Sequence, residues 1–230
     1  MGRPVAAEFL GTGLLLLAIV GSGIVVQDLA NDPAMALFAH AVAVGATIAV
    51  LIAVLGPVSG AHMNPAITLV AWRQREVARS LAGAYIAAQV TGAIAGVILA
   101  HASFGFPLVS VSSTFRDGFG RALAEVVSTF VLVLLIGGMT RTNRTPFIPW
   151  TVGLWVATAI LATSSTGFAN PAVTLARAFT DTYAGIAPRN LLAFVVAQLL
   201  GALLALAFTA VSFPITTARP ASRDRKETLV

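Results

Sequence analysis

The sequence contains no cysteine and very little charge. Its 230 residues include nine acidic and 14 basic side chains, so that only 10% of the chain is charged, whereas soluble domains carry about 25%. The absence of cysteine excludes disulfides and thiolate metal sites. A hydrophobic share of 57% and a mean hydropathy of +0.90 accompany the low charge. This composition predicts an integral membrane protein.

Several functional signatures are also missing from the sequence. There is no phosphate-binding loop and no catalytic constellation, which argues against a primary pump and against an enzyme. The net charge of +5 is compatible with nucleic-acid binding in general, but no basic face with interleaved aromatic residues is present. We therefore expect no enzymatic activity, no cofactor, no metal site and no nucleic-acid partner.

Six apolar runs are long enough to cross a bilayer, which needs about 20 residues. They cover 4–26, 35–56, 79–101, 119–139, 147–164 and 190–212. The connectors between them carry Gly, Pro and Asp residues typical of turns. We expect one transmembrane channel domain over 1–213. The polar segment 214–230 is predicted to be a disordered cytoplasmic tail.

The basic residues predict the orientation of the chain. With the N-terminus inside, the inner segments hold ten Lys or Arg residues and the outer segments hold four. The outer four are Arg116, Arg121, Arg177 and Arg189. By the positive-inside rule, both termini are expected in the cytoplasm. The expected location is the plasma membrane, which in bacteria is the inner membrane.

The two halves of the chain repeat one another. The segment Ala7–Thr12 recurs as Ala124–Thr129, and Ala88–Ala93 recurs as Ala197–Ala202. Each half holds three predicted spans, so the second half must enter the membrane from the opposite side. The sequence therefore predicts an inverted repeat, with one unit over 1–103 and the other over 118–213, a plan known for transport proteins.

One tripeptide occurs twice, as Asn64-Pro65-Ala66 and as Asn170-Pro171-Ala172. Asn is a favoured N-cap, Pro suits the first helical position and Ala is the best helix former. Each triplet therefore predicts the start of a short helix within the membrane. Two such N-termini facing each other at the midplane would repel cations through their dipoles. The Asn amides can donate hydrogen bonds to a passing neutral solute.

The segments that precede the triplets are rich in small residues and are predicted to run extended, with their carbonyls in a row along a pore. The expected pore-lining positions are Gly60, Ala61, His62, Thr166 and Phe168. His62 is a lone histidine there, so a metal role is not expected. The spacing of Gly92 and Gly96 predicts a face for close helix packing.

With these motifs together, the chain resembles an aquaporin of the major intrinsic protein family over about residues 4–212. The resemblance implies an all-α membrane protein: a right-handed bundle of six transmembrane helices with two re-entrant half-helices, one pore per subunit and a homotetramer. It also implies that Glu8 and Glu125 hold the re-entrant loop backbones. Gln89 and Gln198 either belong to the same buried network or make plain helix contacts.

The chain departs from the family pattern directly after the second triplet. Most members have Arg at this position, and here it is Val173. The remaining constriction positions implied by the resemblance are Val44, Gly167 and, in the fifth span, either Ile160 or Thr158. We favour Ile160, because helix register is a firmer anchor than the loop before Asn170, which is about two residues shorter than in the family it resembles. Such a constriction should be wide and apolar.

Three further ionisable residues invite an interpretation. Arg177 follows Val173 by four positions, so the two share a helix face, and Arg177 is a candidate for a positive charge at the external mouth. Alternatively it satisfies helix-end carbonyls or pairs with Asp181. His40 and His101 lie near the ends of spans and are expected at the membrane interface.

The resemblance implies a passive channel for small uncharged solutes and water in a lipid bilayer. Val after the second triplet is similar to a bacterial branch associated with arsenic resistance. The expected solutes are therefore glycerol-like polyols and neutral metalloid hydroxides such as arsenous acid, or methylated arsenicals. The alternatives are a water-selective aquaporin, a secondary transporter coupled through Glu8 and Glu125, and a non-conducting membrane scaffold.

Overall fold

The computed structural model describes residues 2–29 and 31–213, and the regular elements in these ranges are all helices. Six long helices have the length and apolar character to cross a membrane. The helices are α1 (Gly2–Leu29), α2 (Pro33–Ser59), α3 (Pro65–Arg73), α4 (Arg79–Phe104), α5 (Phe119–Arg141), α6 (Ile148–Ala162), α7 (Pro171–Ala176) and α8 (Leu191–Ser212). The predicted tail 214–230 lies outside the described residues.

The helix ends follow local chemistry. The Asp32 side chain caps α2 by accepting from the amide of Ala34 at 2.8 Å. The helix ends at Ser59 and is followed by Gly60 as its C-cap, whose φ of 86° lies in the left-handed region. A short 3₁₀ turn, Thr145–Phe147, leads into α6. The six predicted spans are confirmed, and each starts or ends within a few residues of its predicted limits.

Close helix contacts in both halves depend on glycine. α1 packs along α4, and α5 packs along α8. A Cβ at Gly92 or Gly96 would collide with backbone carbonyls of α1, and a Cβ at Gly201 would collide with the carbonyl of Val126 in α5. The small-residue face predicted at Gly92 and Gly96 is therefore confirmed as a packing surface.

The outer surface of the bundle is apolar. Leu154 on α6, and Leu192 and Val211 near the two ends of α8, expose 72%, 74% and 83% of their surface. Burial of such side chains against lipid rather than water is the expected state of a multi-pass membrane protein. The buried Glu8, Gln89, Glu125 and Gln198 instead surround the two short helices, α3 and α7, which contact each other inside the bundle.

Candidate pore and its two mouths

A cavity of about 700 Å³ runs through the bundle and is lined by both halves of the chain. One end, here called the Arg177 mouth, includes His40 and Arg177. The other end, here called the Arg141 mouth, includes Gln74, Glu76 and Arg141. Asn64 and Asn170 line the cavity between the two mouths. The cavity therefore has the course of a transmembrane pore.

The two triplets are tied together by reciprocal hydrogen bonds. Asn64 Nδ2 donates to the carbonyl of Ala169, and Asn170 Nδ2 donates to the carbonyl of Met63, both at 2.7 Å. Each Asn Oδ1 accepts from the amide two residues later, at 2.9 Å for Asn64 and 3.0 Å for Asn170. An amide nitrogen carries two hydrogens, so each Asn retains one donor for a solute in the cavity.

The loops before the triplets adopt the same unusual backbone in both halves. Ala61 and Met63 have φ values of 48° and 47°, and Gly167 and Ala169 have 53° and 47°. Positive φ at alanine and methionine is unfavourable by about 1–2 kcal/mol per residue. The successive backbone amides at the end of each loop, those of His62 and Met63 and those of Phe168 and Ala169, lie inside the protein and need acceptors there.

Buried carboxylates supply those acceptors. Glu8 accepts from the amides of His62 at 2.9 Å and Met63 at 2.6 Å. Glu125 accepts from the amides of Phe168 and Ala169, both at 2.9 Å. Both glutamates are completely buried. Hydrogen bonds to a charged group contribute about 1.5–3 kcal/mol each, which is enough to offset the strain of the two loops.

The two glutamines complete the same arrangement. Gln89 Nε2 donates to Glu8 Oε2 at 2.7 Å and to Thr68 Oγ1 at 2.9 Å. Gln198 Nε2 donates to Glu125 Oε2 at 2.6 Å and to Thr174 Oγ1 at 2.8 Å. Thr68 and Thr174 lie four residues after the two Asn caps. Of the two alternatives for the glutamines, the geometry places both in the buried network.

The positions expected along the pore lie on its wall. Gly60, Ala61 and His62 line the cavity from the first loop, and Thr166, Gly167 and Phe168 line it from the second. His62 Nδ1 is 3.1 Å from Thr68 Oγ1. Phe168 occupies the equivalent position of the second loop, so the two loops differ most in the chemistry of this side chain.

The constriction candidates also face the cavity. Val44, Ile160, Gly167 and Val173 all belong to its lining, and no aromatic, His or Arg side chain stands among these four. Thr158 instead is exposed on the outer surface, where its hydroxyl donates to the carbonyl of Leu154 at 2.9 Å. Between the two alternatives for the fifth span, the structure therefore places Ile160 on the cavity wall.

Arg177 lies at one mouth of the cavity and is only 5% exposed. Its Nε donates to the carbonyl of Ala184, and its guanidinium carbon lies 3.5 Å from the centroid of the Phe168 ring. The alternative pairing with Asp181 is wrong, because Asp181 Oδ1 accepts from the amide and hydroxyl of Ser113, at 2.8 Å and 2.9 Å.

His40 and His101, which the sequence predicts at the membrane interface, are buried within the protein. His40 is 4% exposed, lines the cavity, and has Nδ1 at 2.8 Å from Ser22 Oγ. His101 is fully buried and bridges the carbonyl of Pro107 at 2.6 Å and the hydroxyl of Thr180 at 2.7 Å. Their positions near the ends of predicted spans do not predict this burial, because it depends on how the connectors between helices fold over the helix ends.

Sequence analysis missed Arg116 as a residue of the pore mouth. Its Nε donates to the carbonyl of Gly185 at 2.8 Å, and its guanidinium carbon lies 5.0 Å from the centroid of Phe168. Burial, followed by the nearby charge of Arg121, lowers the pKa of Arg116 to about 10. The contact joins residues far apart in the chain, so no local sequence signal marks it.

Across residues 2–29 and 31–213, no three His, Asp or Glu side chains come together in a group that could hold a metal ion.

The sequence and the structure match known membrane channels. The model of the family described as major intrinsic protein matches residues 1–147. The chain belongs to the major intrinsic protein family. Aquaglyceroporin AqpS of Rhizobium meliloti (strain 1021) is 48% identical over 222 residues, which cover 96% of this chain and 94% of that protein. Family membership establishes a multi-pass membrane channel for small uncharged solutes and excludes an enzyme.

Two further matches are more distant than this one. Propanediol uptake facilitator PduF of Citrobacter freundii is 31% identical over 195 residues, with 72% of each chain covered. The X-ray structure of the aquaglyceroporin from Plasmodium falciparum has a TM-score of 0.70 and 21% identity, and the match covers 90% of this chain and 94% of that one. This last likeness confirms the aquaporin-like fold of the major intrinsic protein family, with six spanning helices and two half-helices.

Proposed function

We propose that this major intrinsic protein conducts uncharged solutes of glycerol size and neutral metalloid hydroxides such as arsenous acid or methylated arsenicals, together with water. The observation that carries the proposal is Val173 on the cavity wall, 3% exposed and without a charge. An Arg at this position would add a fixed charge and a longer side chain to the constriction. The shorter, uncharged side chain of Val173 leaves the constriction wider for a solute.

The relatives support a polyol-sized pore. The 48% identical protein is named an aquaglyceroporin, and the Citrobacter protein is named a propanediol uptake facilitator. Arsenous acid presents three hydroxyls on a compact uncharged frame, as glycerol does. Its hydroxyls can use the same donors, the free amide hydrogens of Asn64 and Asn170, and the same carbonyls of the two loops.

The cation barrier is proposed to combine three sources of positive potential. Two are the N-termini of α3 and α7, each equivalent to about half an elementary charge. The third is Arg177 at the Arg177 mouth. Because Val173 carries no charge, Arg177→Gln should increase proton or sodium leak through the channel in reconstituted vesicles. An unchanged leak would show that the dipoles and the Asn pair are sufficient.

Uptake into proteoliposomes tests the solute range. Wild type should admit water, glycerol and arsenous acid, and Val173→Arg should slow both larger solutes by about tenfold, equivalent to about 1.4 kcal/mol in the barrier. Val173→Met is the matched control, since it lengthens the side chain without adding charge. Solute uptake unaltered by Val173→Arg would contradict the constriction argument, and swelling with water alone would favour a water-selective aquaporin.

Orientation and assembly complete the proposal. The excess of Lys and Arg in the predicted inner segments favours both termini in the cytoplasm, with the Arg177 mouth outside. The exposed apolar surface of the single chain is compatible with a homotetramer as well as with lipid. Protease accessibility of a C-terminal tag in right-side-out vesicles tests the orientation, because a cytoplasmic tag is protected there. Native mass spectrometry tests whether the channel is a homotetramer.

A further inference from the structure

A second, smaller cavity lies beside the Arg177 mouth. It has a volume of about 190 Å³, and its walls are formed by Leu37, His40, Arg116, Thr166, Arg177 and Tyr183. His40, Thr166 and Arg177 also line the main pore. Water occupies about 30 Å³ per molecule in the liquid, so the side cavity has room for a ligand of several heavy atoms next to the solute path.

Two guanidinium groups face this space without a carboxylate partner. In the part of the chain that the structure describes, the ion pair present joins Arg189 to Asp117 and includes neither Arg116 nor Arg177. The buried carboxylate of Glu125 forms no ion pair with either arginine; its oxygens accept from the Phe168 and Ala169 amides. Arg177 is buried and Arg116 is half-buried. A buried positive charge is costly unless it is paired, so an anion beside these two arginines would lower that cost.

The loop that follows α7 holds both arginines in place. Their Nε atoms donate to successive carbonyls, Arg177 to Ala184 and Arg116 to Gly185. Gly185 is packed so closely that a Cβ there would lie 2.6 Å from the carbonyl oxygen of Thr180. Both guanidinium groups also rest on the Phe168 ring. The two positive charges are therefore preorganised rather than brought together by a ligand.

The terminal nitrogens of the two arginines remain available. Among the described residues, those of Arg177 have no hydrogen-bond partner, and Arg116 has only a long contact of 3.5 Å from Nη1 to Thr166 Oγ1. A guanidinium presents its donors in a planar fork that matches the two oxygens of a carboxylate or a similar oxyanion. A halide, which is spherical, would use this geometry less well.

We propose that Arg116 and Arg177 bind a small monovalent oxyanion, of the size of formate, in the side cavity at the Arg177 mouth. The carboxylate would accept from the free Nη atoms of both arginines, and the Thr166 hydroxyl lies on the same wall. The site does not depend on which neutral solute crosses the pore. It would neutralise part of the repulsion between the two arginines.

Isothermal titration calorimetry of the full-length channel in lipid nanodiscs tests this site with sodium formate as the probe. Wild type should give saturable binding, and formamide, a neutral molecule of the same shape, should give none. Arg116→Gln and Arg177→Gln should each weaken formate binding by about tenfold or more. Arg189→Gln is the matched control: it removes one positive charge from an exposed residue that already has a carboxylate partner and should bind like wild type.

The design remains decisive if Arg177→Gln does not fold. Arg177→Lys keeps the charge but removes the fork, and it should still bind formate more weakly than wild type. Absence of saturable formate binding to wild type would overturn the proposal. So would equal binding by wild type and Arg116→Gln. Because the readout is binding and not uptake, either result is separate from success or failure of the solute proposal.

Discussion

The two halves of the pore are alike in how they are held and unlike in what they present. In each half a buried glutamate, a glutamine and a threonine support a loop that has positive φ at three residues, and an Asn caps the half-helix that follows. Each half also passes one Asn hydrogen bond to the other. The symmetric parts therefore build the scaffold.

The asymmetric parts lie on the pore wall. The first loop presents His62, bonded to Thr68, and the second presents Phe168 beneath two arginines. The Arg177 mouth is basic, whereas the Arg141 mouth also contains Glu76. We therefore expect selectivity to depend on the positions at which the two halves carry different side chains. Fold stability should depend on the positions at which they carry the same ones. Variants placed at equivalent positions of the two halves can separate these roles.

The largest effect is expected from Glu8→Gln and Glu125→Gln. A glutamine has one acceptor oxygen in place of two, and its amide would face donors, so at least one buried N–H loses its acceptor. We expect each variant to lose about 3 kcal/mol or more of stability, seen as a low yield of folded channel by size-exclusion chromatography. If both variants folded normally and wild-type uptake were coupled to protons, the scaffold role would be contradicted and a secondary transporter would be favoured.

Much of this scaffold could be predicted from the sequence, because it is carried by residues that recur. The Asn triplets, the glutamates and the glutamines repeat in the same order, and helix starts, spans and the small-residue contact at Gly92 follow from local chemistry. The surroundings of Arg116 and His40 could not be predicted. Both depend on how the connectors fold back over the helix ends, which has no periodic signal.

A smaller effect is expected where the two loops differ in size, at Ala61 and Gly167. Both have positive φ, so conformation alone does not require glycine. A Cβ at Gly167 would lie 2.5 Å from the Cβ of Ala159. Gly167→Ala should therefore destabilise the channel by about 1–3 kcal/mol through overpacking and slow glycerol uptake.

Ala61→Gly is the matched variant in the first loop. Relief of the unfavourable φ and the higher entropy of glycine in the unfolded chain nearly cancel, so its unfolding temperature should stay close to that of wild type. Equal destabilisation by the two variants would show that backbone conformation, and not the contact with Ala159, selects glycine at position 167.

The third comparison exchanges the side chains that differ most. Phe168→Leu removes the ring on which two guanidinium groups rest, an interaction of about 0.5–2 kcal/mol, and should raise cation leak by loosening Arg177. His62→Leu loses one hydrogen bond, worth about 0.5–1.5 kcal/mol, and should leave the leak unchanged. Planar-bilayer conductance measures both. A leak that rises equally in the two variants would mean that the charge barrier is not confined to the Arg177 mouth.

The smallest expected effect concerns pH, and it has opposite signs at the two mouths. Hydrogen bonds from Asn190 and Arg189 lower the pKa of Asp117, beside the Arg177 mouth. This contribution is present above the unfolded pKa of about 3.9 and is lost as pH falls through the folded value. Partial loss of hydration raises the pKa of the largely exposed Glu76 at the Arg141 mouth, so its small contribution to stability is lost as pH rises above about 4.3.

Unfolding midpoints measured across acidic pH can separate these two groups. Asp117→Asn should flatten the loss of stability at the acid end, and Glu76→Gln should flatten the loss that begins as Glu76 ionises. Both shifts should be small, because both side chains are exposed to solvent and solvent screens their interactions. The two substitutions should change the pH dependence of the unfolding midpoint in opposite directions. A change in the same direction for both variants would contradict the opposite pKa shifts of Asp117 and Glu76.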